Sequence, residues 1–247
     1  MANNVIHWDT VEQISKNRGV VLAVENAHAR RQHSKPDTTT LMVMMFSESH
    51  SREAHNCIES MKRVMGGVSN MPLVVFALDV NVFKAMGAEH VSCVDMRELM
   101  FEGGGQTTGT QNDGSHYGSD GFKNLMRWKT ACVASVCNMG HNVLWIDTDI
   151  VFIKNPLDSL AMDVGNGSHV AAQRDGDGKR FWTPGHTVDN VCMGFSWFRH
   201  CPLVVKLFQE MVEAGASVDG AKETLESVKR HDMGCVRGDV SGFFAGD

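Results

Sequence analysis

The apolar run Asn142-Val143-Leu144-Trp145-Ile146-Asp147-Thr148-Asp149-Ile150-Val151-Phe152-Ile153 carries two carboxylates two residues apart. Its β-branched and aromatic residues predict a strand. In an extended chain, residues two apart point to the same side, so a regular strand brings Asp147 and Asp149 to one point. Two ionised carboxylates in an apolar strand repel each other and are costly to desolvate unless a positive charge lies between them. A divalent cation that prefers oxygen, Mg²⁺ or Mn²⁺, meets that need. The fold must therefore deliver this segment to a place that a charged ligand can reach.

The preceding chain supplies the frame. Leu41–Phe46 is a continuous apolar run, the pattern of a strand buried on both faces. Ala54, Cys57, Ile58, Met61, Val64 and Met65 fall at helical spacing and stop at Gly66-Gly67. Leu73–Leu78 is a second buried strand ending at Asp79. Val82–Met86 is a short helical piece, and Val91–Val94 is a third strand ending at Asp95. Strands alternating with helices predict an α/β fold with a mostly parallel sheet flanked by helices. A helix over 122–139 follows, with Phe122, Leu125, Met126, Cys132, Val133, Val136 and Met139 as its apolar stripe and Gly140 as its stop. It carries Arg127 and Lys129, and long cations on a helix are ordinarily solvated. The two aspartates come at the C-terminal end of the next strand, where open α/β sheets bind ligands.

Residues 1–38 read as an N-terminal extension with room for one strand at Val20–Val24, leaving 39–247 as a single domain with no dividing linker. The glycine-rich stretch 102–121 lacks the Lys-Ser/Thr ending of a phosphate-binding loop and reads as a surface or site-side loop. Beyond Pro156, Val170–Ala172 is a short strand and Asp189–Arg199 a strand-pair candidate with Gly194 inside it. An interior strand glycine often marks close approach of a ligand or another backbone. Pro202–Ala214 is an amphipathic helix. Asp175 and Asp177 lack the closing Glu of a calcium loop and read as a turn, and the sequon Asn166-Gly167-Ser168 has meaning only in a secreted chain.

With 247 residues, 43% hydrophobic and 21% charged, the chain has enough apolar material for a proper core. A net charge of -6 gives no electrostatic reason to expect nucleic acid or an anionic membrane as partner. The 7 cysteines form no CxxC pair and mostly sit in apolar segments, so buried free thiols in a reducing compartment are expected. No apolar stretch reaches the roughly 18 residues needed to span a bilayer, and the first residues lack the form of a signal peptide. A cytoplasmic enzyme, a viral one, or an excised domain is the expectation.

A metal held by an aspartate pair at a strand end most often grips a diphosphate. At this point the residues carry a resemblance. Phe122–Pro156 is similar to the central block of the GT-A glycosyltransferases. A helix with a Lys and a Gly stop leads into Val-Leu-Trp-Ile-Asp-Thr-Asp-Ile-Val-Phe-Ile-Lys-Asn-Pro. The segment Asp189-Asn190-Val191-Cys192-Met193-Gly194-Phe195 resembles the later Asn-x-Gly-Phe strand of the nucleotide-diphospho-sugar transferase family, which includes plant cell-wall xylosyl- and arabinosyltransferases. The resemblance implies a GT-A, Rossmann-like sheet in one domain. It also implies retaining transfer of a sugar from a nucleotide-sugar donor, a UDP-sugar, to a carbohydrate or glycan hydroxyl, with Mn²⁺ or Mg²⁺. Asp147 would touch the ribose and the metal, and Asp149 would ligate the metal directly. Lys129 would hold the diphosphate or the donor sugar, and Asn190 and Gly194 would line the pocket. Asp189 and Asp232 would lie near the reacting sugar, although Met233 stands where the family has Gln. His231 is the late histidine able to supply a third metal ligand. Asp79 and Asp95, each at a strand end, read as helix caps or, in such a protein, as contacts to the uracil or ribose.

Two rival readings remain at this stage. One is a phosphatase or phosphotransferase of the haloacid-dehalogenase type, whose nucleophile also sits in an Asp-x-Asp strand with Mg²⁺. In that family the motif normally opens the chain, whereas here a long α/β segment precedes it. The other is a non-catalytic, donor-binding relative, for which the missing Gln after Asp232 is the support.

Overall fold

The fold is that of a computed structural model, which describes residues 6–31, 40–102, 119–163, 169–174, 191–215 and 235–236. The expectations for the glycine-rich loop, the Asn166 sequon, Asp175, Asp177, Asp189, Asn190, His231 and Asp232 lie outside the described residues.

Strands β1 (Thr40–Phe46), β2 (Leu73–Ala77) and β3 (Ser92–Asp95) alternate with helices α3 (Ser51–Met65) and α4 (Val80–Ala88). Helices α5 (Met96–Glu102) and α6 (Asp120–Asn138) lead to β4 (Asn142–Ile146), and α7 (Pro156–Asp163) to β5 (Val170–Arg174). β6 (Val191–Phe198), α8 (Pro202–Glu213) and the two-residue β7 (Cys235–Val236) complete the described chain. Among the described residues the sheet has seven strands in the order β3-β2-β1-β4-β6-β5-β7. β3, β2, β1 and β4 run parallel, while β6 is antiparallel to both β4 and β5. The sheet is thus parallel on one side of β4 and mixed on the other. The described part of the Asp189–Arg199 candidate forms one strand, Val191–Phe198, rather than a pair.

Every residue of β1 is buried, as its continuous apolar run requires. Its side chains divide between two cores with the period of the pleat. Leu41, Val43 and Met45 join one core with Val143 and Trp145 of β4 and Ala131, Cys132 and Val133 of α6. Met42, Met44 and Phe46 join the other with Leu144 and Ile146 of β4 and Cys57, Ile58 and Met61 of α3. α3 stops where expected, because Gly66 takes φ +77, a left-handed conformation that a side chain resists.

The N-terminal segment holds no strand among its described residues. Its Val20–Val24 patch belongs to a helix, α2 (Arg18–Arg31), preceded by α1 (Trp8–Lys16). Val11, Ile14, Val20, Ala23, Val24 and Ala27 are buried in the α6-side core. A short apolar patch looks alike in both periods, and packing directly on the face of β1, β2 and β3 selects the helix.

The crossovers fix where a ligand can sit. From β1 the chain steps outward to β2 and β3, with α3 and α4 on one face. It then returns through α6 on the opposite face to place β4 on the other side of β1. Strand order therefore reverses between β1 and β4, and the crevice beyond the carboxyl ends of those strands is the ligand position of open α/β sheets.

Candidate active site

Asp147 lies directly beyond that crevice's β4 end. Its N–H donates to Gly194 O at 2.7 Å, extending the β4–β6 ladder by one residue and fixing the Asp147 backbone. The chain turns at Thr148 and Asp149, so the strand does not stay regular through the pair. β1 pairs with β4 only as far as Trp145. Past that point the backbone has lost its parallel neighbour, and a turn, rather than the pleat, sets the relation of the two carboxylates. Beyond the turn, Phe152 returns to the core at 1% exposure, and its N–H donates to Ser60 Oγ at 2.9 Å.

The two aspartates are in different electrostatic states. Asp147 Oδ1 accepts from Trp145 Nε1 at 2.6 Å and from Lys129 Nζ at 3.1 Å. The Lys129 side chain is only 3% exposed, and its ammonium sits 4.7 Å from the centroid of the Trp145 ring. The solvated helix cation expected from general patterns is instead buried and paired with the first aspartate. Such a charge persists in a core only with an anionic partner. Asp149 is exposed, and among the described residues no hydrogen bond or ion pair reaches its carboxylate. Among the described residues one paired cation thus stands against the two anions, and it is paired with Asp147 rather than Asp149. The field of the pair is felt at Cys57, whose Sγ lies 4.0 Å from Asp147 O. Burial first, then Asp149 and Asp147, push this thiol up to about 12.

Other expected residues have separate roles. Asp79 caps α4: Oδ1 accepts from Asn81 N at 3.0 Å and Val82 N at 2.9 Å, and Oδ2 from Glu48 N at 2.6 Å. Asp95 pairs with Arg97 through two side-chain bonds and accepts the Arg97 N–H, which holds its carboxyl below the usual range. Gly194 is buried in β6 beside Asp147. His55, Glu59 and Glu89 also offer clustered ligand atoms, but Lys62 already bridges the two glutamates at 2.7 and 2.6 Å. The residues that sequence reasoning did not assign are Trp145 as a donor, Ser60 as an anchor and Cys57 as a neighbour. Only Trp145 had a legible signal: it stands two residues before Asp147, on the same side of the strand.

Residues 70–235 match the model of the nucleotide-diphospho-sugar transferases. The chain belongs to this family of glycosyltransferases, which decides against the haloacid-dehalogenase reading. A 96-residue stretch is 29% identical to a UDP-galactose:fucoside alpha-3-galactosyltransferase of Dictyostelium discoideum; it covers 39% of this chain and 14% of that protein. Among solved structures, the bifunctional glycosyltransferase WbbM is similar with a TM-score of 0.49 at 15% identity, over 78% of this chain and 38% of that one. Core-mannan synthase A of Aspergillus fumigatus gives 0.49 at 10% identity, over 91% and 85%. Among the described residues no helix is long and apolar enough to cross a membrane.

Proposed function

We propose that this chain is a metal-dependent glycosyltransferase that moves a sugar from a UDP-sugar to a hydroxyl of a carbohydrate acceptor, with retention of configuration. The observation that carries the metal and diphosphate part is the inequality of the two aspartates. Asp147 is held by protein donors, and Asp149 is exposed and unpartnered among the described residues at the point where strand order reverses. Two hard oxygen donors of net negative charge fit Mn²⁺ or Mg²⁺. Asp149 would ligate the cation directly, Asp147 would share it with the ribose, and His231 would be a third ligand. The cation, when bound, neutralises charge on the departing diphosphate.

The chain's own residues do the rest. Lys129 supplies a fixed positive charge beneath Asp147, and the Gly194 carbonyl pins the Asp147 backbone. By the family resemblance Asn190 and Gly194 would line the pocket and Asp189 and Asp232 would lie near the reacting sugar, while Asp79, besides capping α4, would add a contact on the nucleotide side. The UDP assignment is supported by the name of the Dictyostelium relative, and retention by the family resemblance. Residues 39–247 form the transferase unit, backed by the two N-terminal helices. The free thiols among the described residues favour a reducing, cytoplasmic setting.

Thermal unfolding with a panel of UDP- and GDP-sugars, with and without Mn²⁺, tests this reading. A ligand at 100 times its dissociation constant adds about 2.7 kcal/mol and raises the midpoint by a few degrees. A Mn²⁺-dependent rise with a UDP-sugar is expected, and Asp149→Ala should abolish both the rise and transfer while remaining folded. Near-wild-type transfer by Asp149→Ala at saturating Mn²⁺ would overturn the reading.

A further inference from the structure

The Asp147 carboxylate is asymmetrically engaged. A carboxylate oxygen offers two lone-pair directions. At Oδ1 one is met by the Trp145 indole N–H and the other by the Lys129 ammonium. Among the described residues nothing donates to Oδ2. The indole bond, at 2.6 Å, is at the short, charge-assisted end of its kind. Trp145 is 2% exposed, packed in the core beneath α6, so its ring cannot turn without displacing its neighbours. The direction of its N–H is therefore set by the core and not by the site.

We propose that Trp145 is a positioning residue: its indole N–H, together with Lys129, locks the Asp147 carboxylate so that Oδ2 alone faces a divalent cation. This inference rests on the reading that Asp147 and Asp149 take such a cation. A carboxylate free to rotate can chelate through both oxygens and so occupy two coordination positions. Held by one oxygen, Asp147 fills one position and leaves the others for the oxygens of a diphosphate. The same two donors engage Asp147, whereas none reaches the Asp149 carboxylate among the described residues.

The test compares Trp145→Phe with Trp197→Phe. Trp197 is also buried in this sheet, faces Leu144 in register and donates its indole N–H to Thr40 Oγ1 at 3.1 Å. Both variants lose a buried indole and one hydrogen bond, but only the first loses a donor to Asp147. Mn²⁺ binding is measured from the loss of the free-Mn²⁺ paramagnetic resonance signal, with saturating UDP and again with GDP. Trp145→Phe should weaken Mn²⁺ binding about tenfold, the usual effect of removing a ligand's supporting bond. Trp197→Phe should stay within about twofold of wild type. Equal weakening in both variants, or none in Trp145→Phe while Asp149→Ala loses binding, overturns this inference and leaves the metal reading intact. Failure of the wild type to bind Mn²⁺ with either nucleotide overturns both. A second measurement needs no variant at position 145. On adding Mg²⁺ and UDP to the ¹⁵N-labelled wild type, the Trp145 indole resonance should move more than that of Trp197, and equal movement counts against the proposal.

Discussion

Cys57 reports on the charge balance of the site from within the core. Its thiol is held up at about 12 by burial and by the two aspartates, against an ordinary value of 9.0. Raised folded-state values mean that the stability such thiols contribute is fully present below pH 9 and is lost as pH rises from there towards 12. At pH 10 the unfolded chain ionises this cysteine and the folded chain does not, a loss of about 1.4 kcal/mol relative to pH 8. Cys57→Ala should therefore lose less stability than wild type between pH 8 and pH 10, measured by urea unfolding at both. Equal losses would contradict the assignment. At the same scale, the aspartate pair was legible in the sequence, since little else explains two carboxylates in so apolar a run. The Lys129–Asp147 bond was not, because no local pattern links residues 18 apart on a helix and a strand.

Helix α3 shows how an element far from the motif in sequence holds it in place. Ser60 lies on its buried side at 2% exposure, donates to Cys57 O at 2.6 Å and accepts the Phe152 N–H that ends the Asp147–Asp149 turn. Ser60→Ala leaves that buried N–H without an acceptor, at a cost of about 1–3 kcal/mol. Chemical denaturation should show the loss, and an unchanged midpoint would mean that the turn is held elsewhere. The elements themselves were largely readable. Buried parallel strands announce themselves as unbroken apolar runs, and the α3 stripe and its glycine stop left one interpretation. Strand β6 was harder, since an interior glycine suits a single strand or a pair, and partners on both sides decide it.

At the scale of the molecule, the two N-terminal helices belong to the core on the α6 face. α1 packs against α6, and the buried Val11, Ile14, Val20 and Val24 each contribute about 1.5–3 kcal/mol by burial. A chain begun at residue 39 should lose most of its stability and expose that face. Dye binding to apolar surface and a thermal midpoint lowered by well over ten degrees, or no cooperative transition at all, are the expected results. A midpoint unchanged by the truncation would make those helices dispensable. The packing of α2 was hidden in the sequence because it has no clean apolar stripe, so only the covering partners reveal which of its residues turn inward.

The antiparallel course of β6 has one more consequence, for how such proteins diversify. β5 ends and β6 begins at the same edge that bears Asp147, with Arg174 opposite Val191, whereas β6 hands over to α8 at the far edge. Insertions and replacements between β5 and β6 are anchored at the Asp147 edge, yet leave every ladder bond of the sheet intact. Changes between β6 and α8 are anchored at the opposite edge, away from the aspartate pair. Natural variation in what such a chain transfers, and to what, should therefore accumulate in the first connection and spare the second.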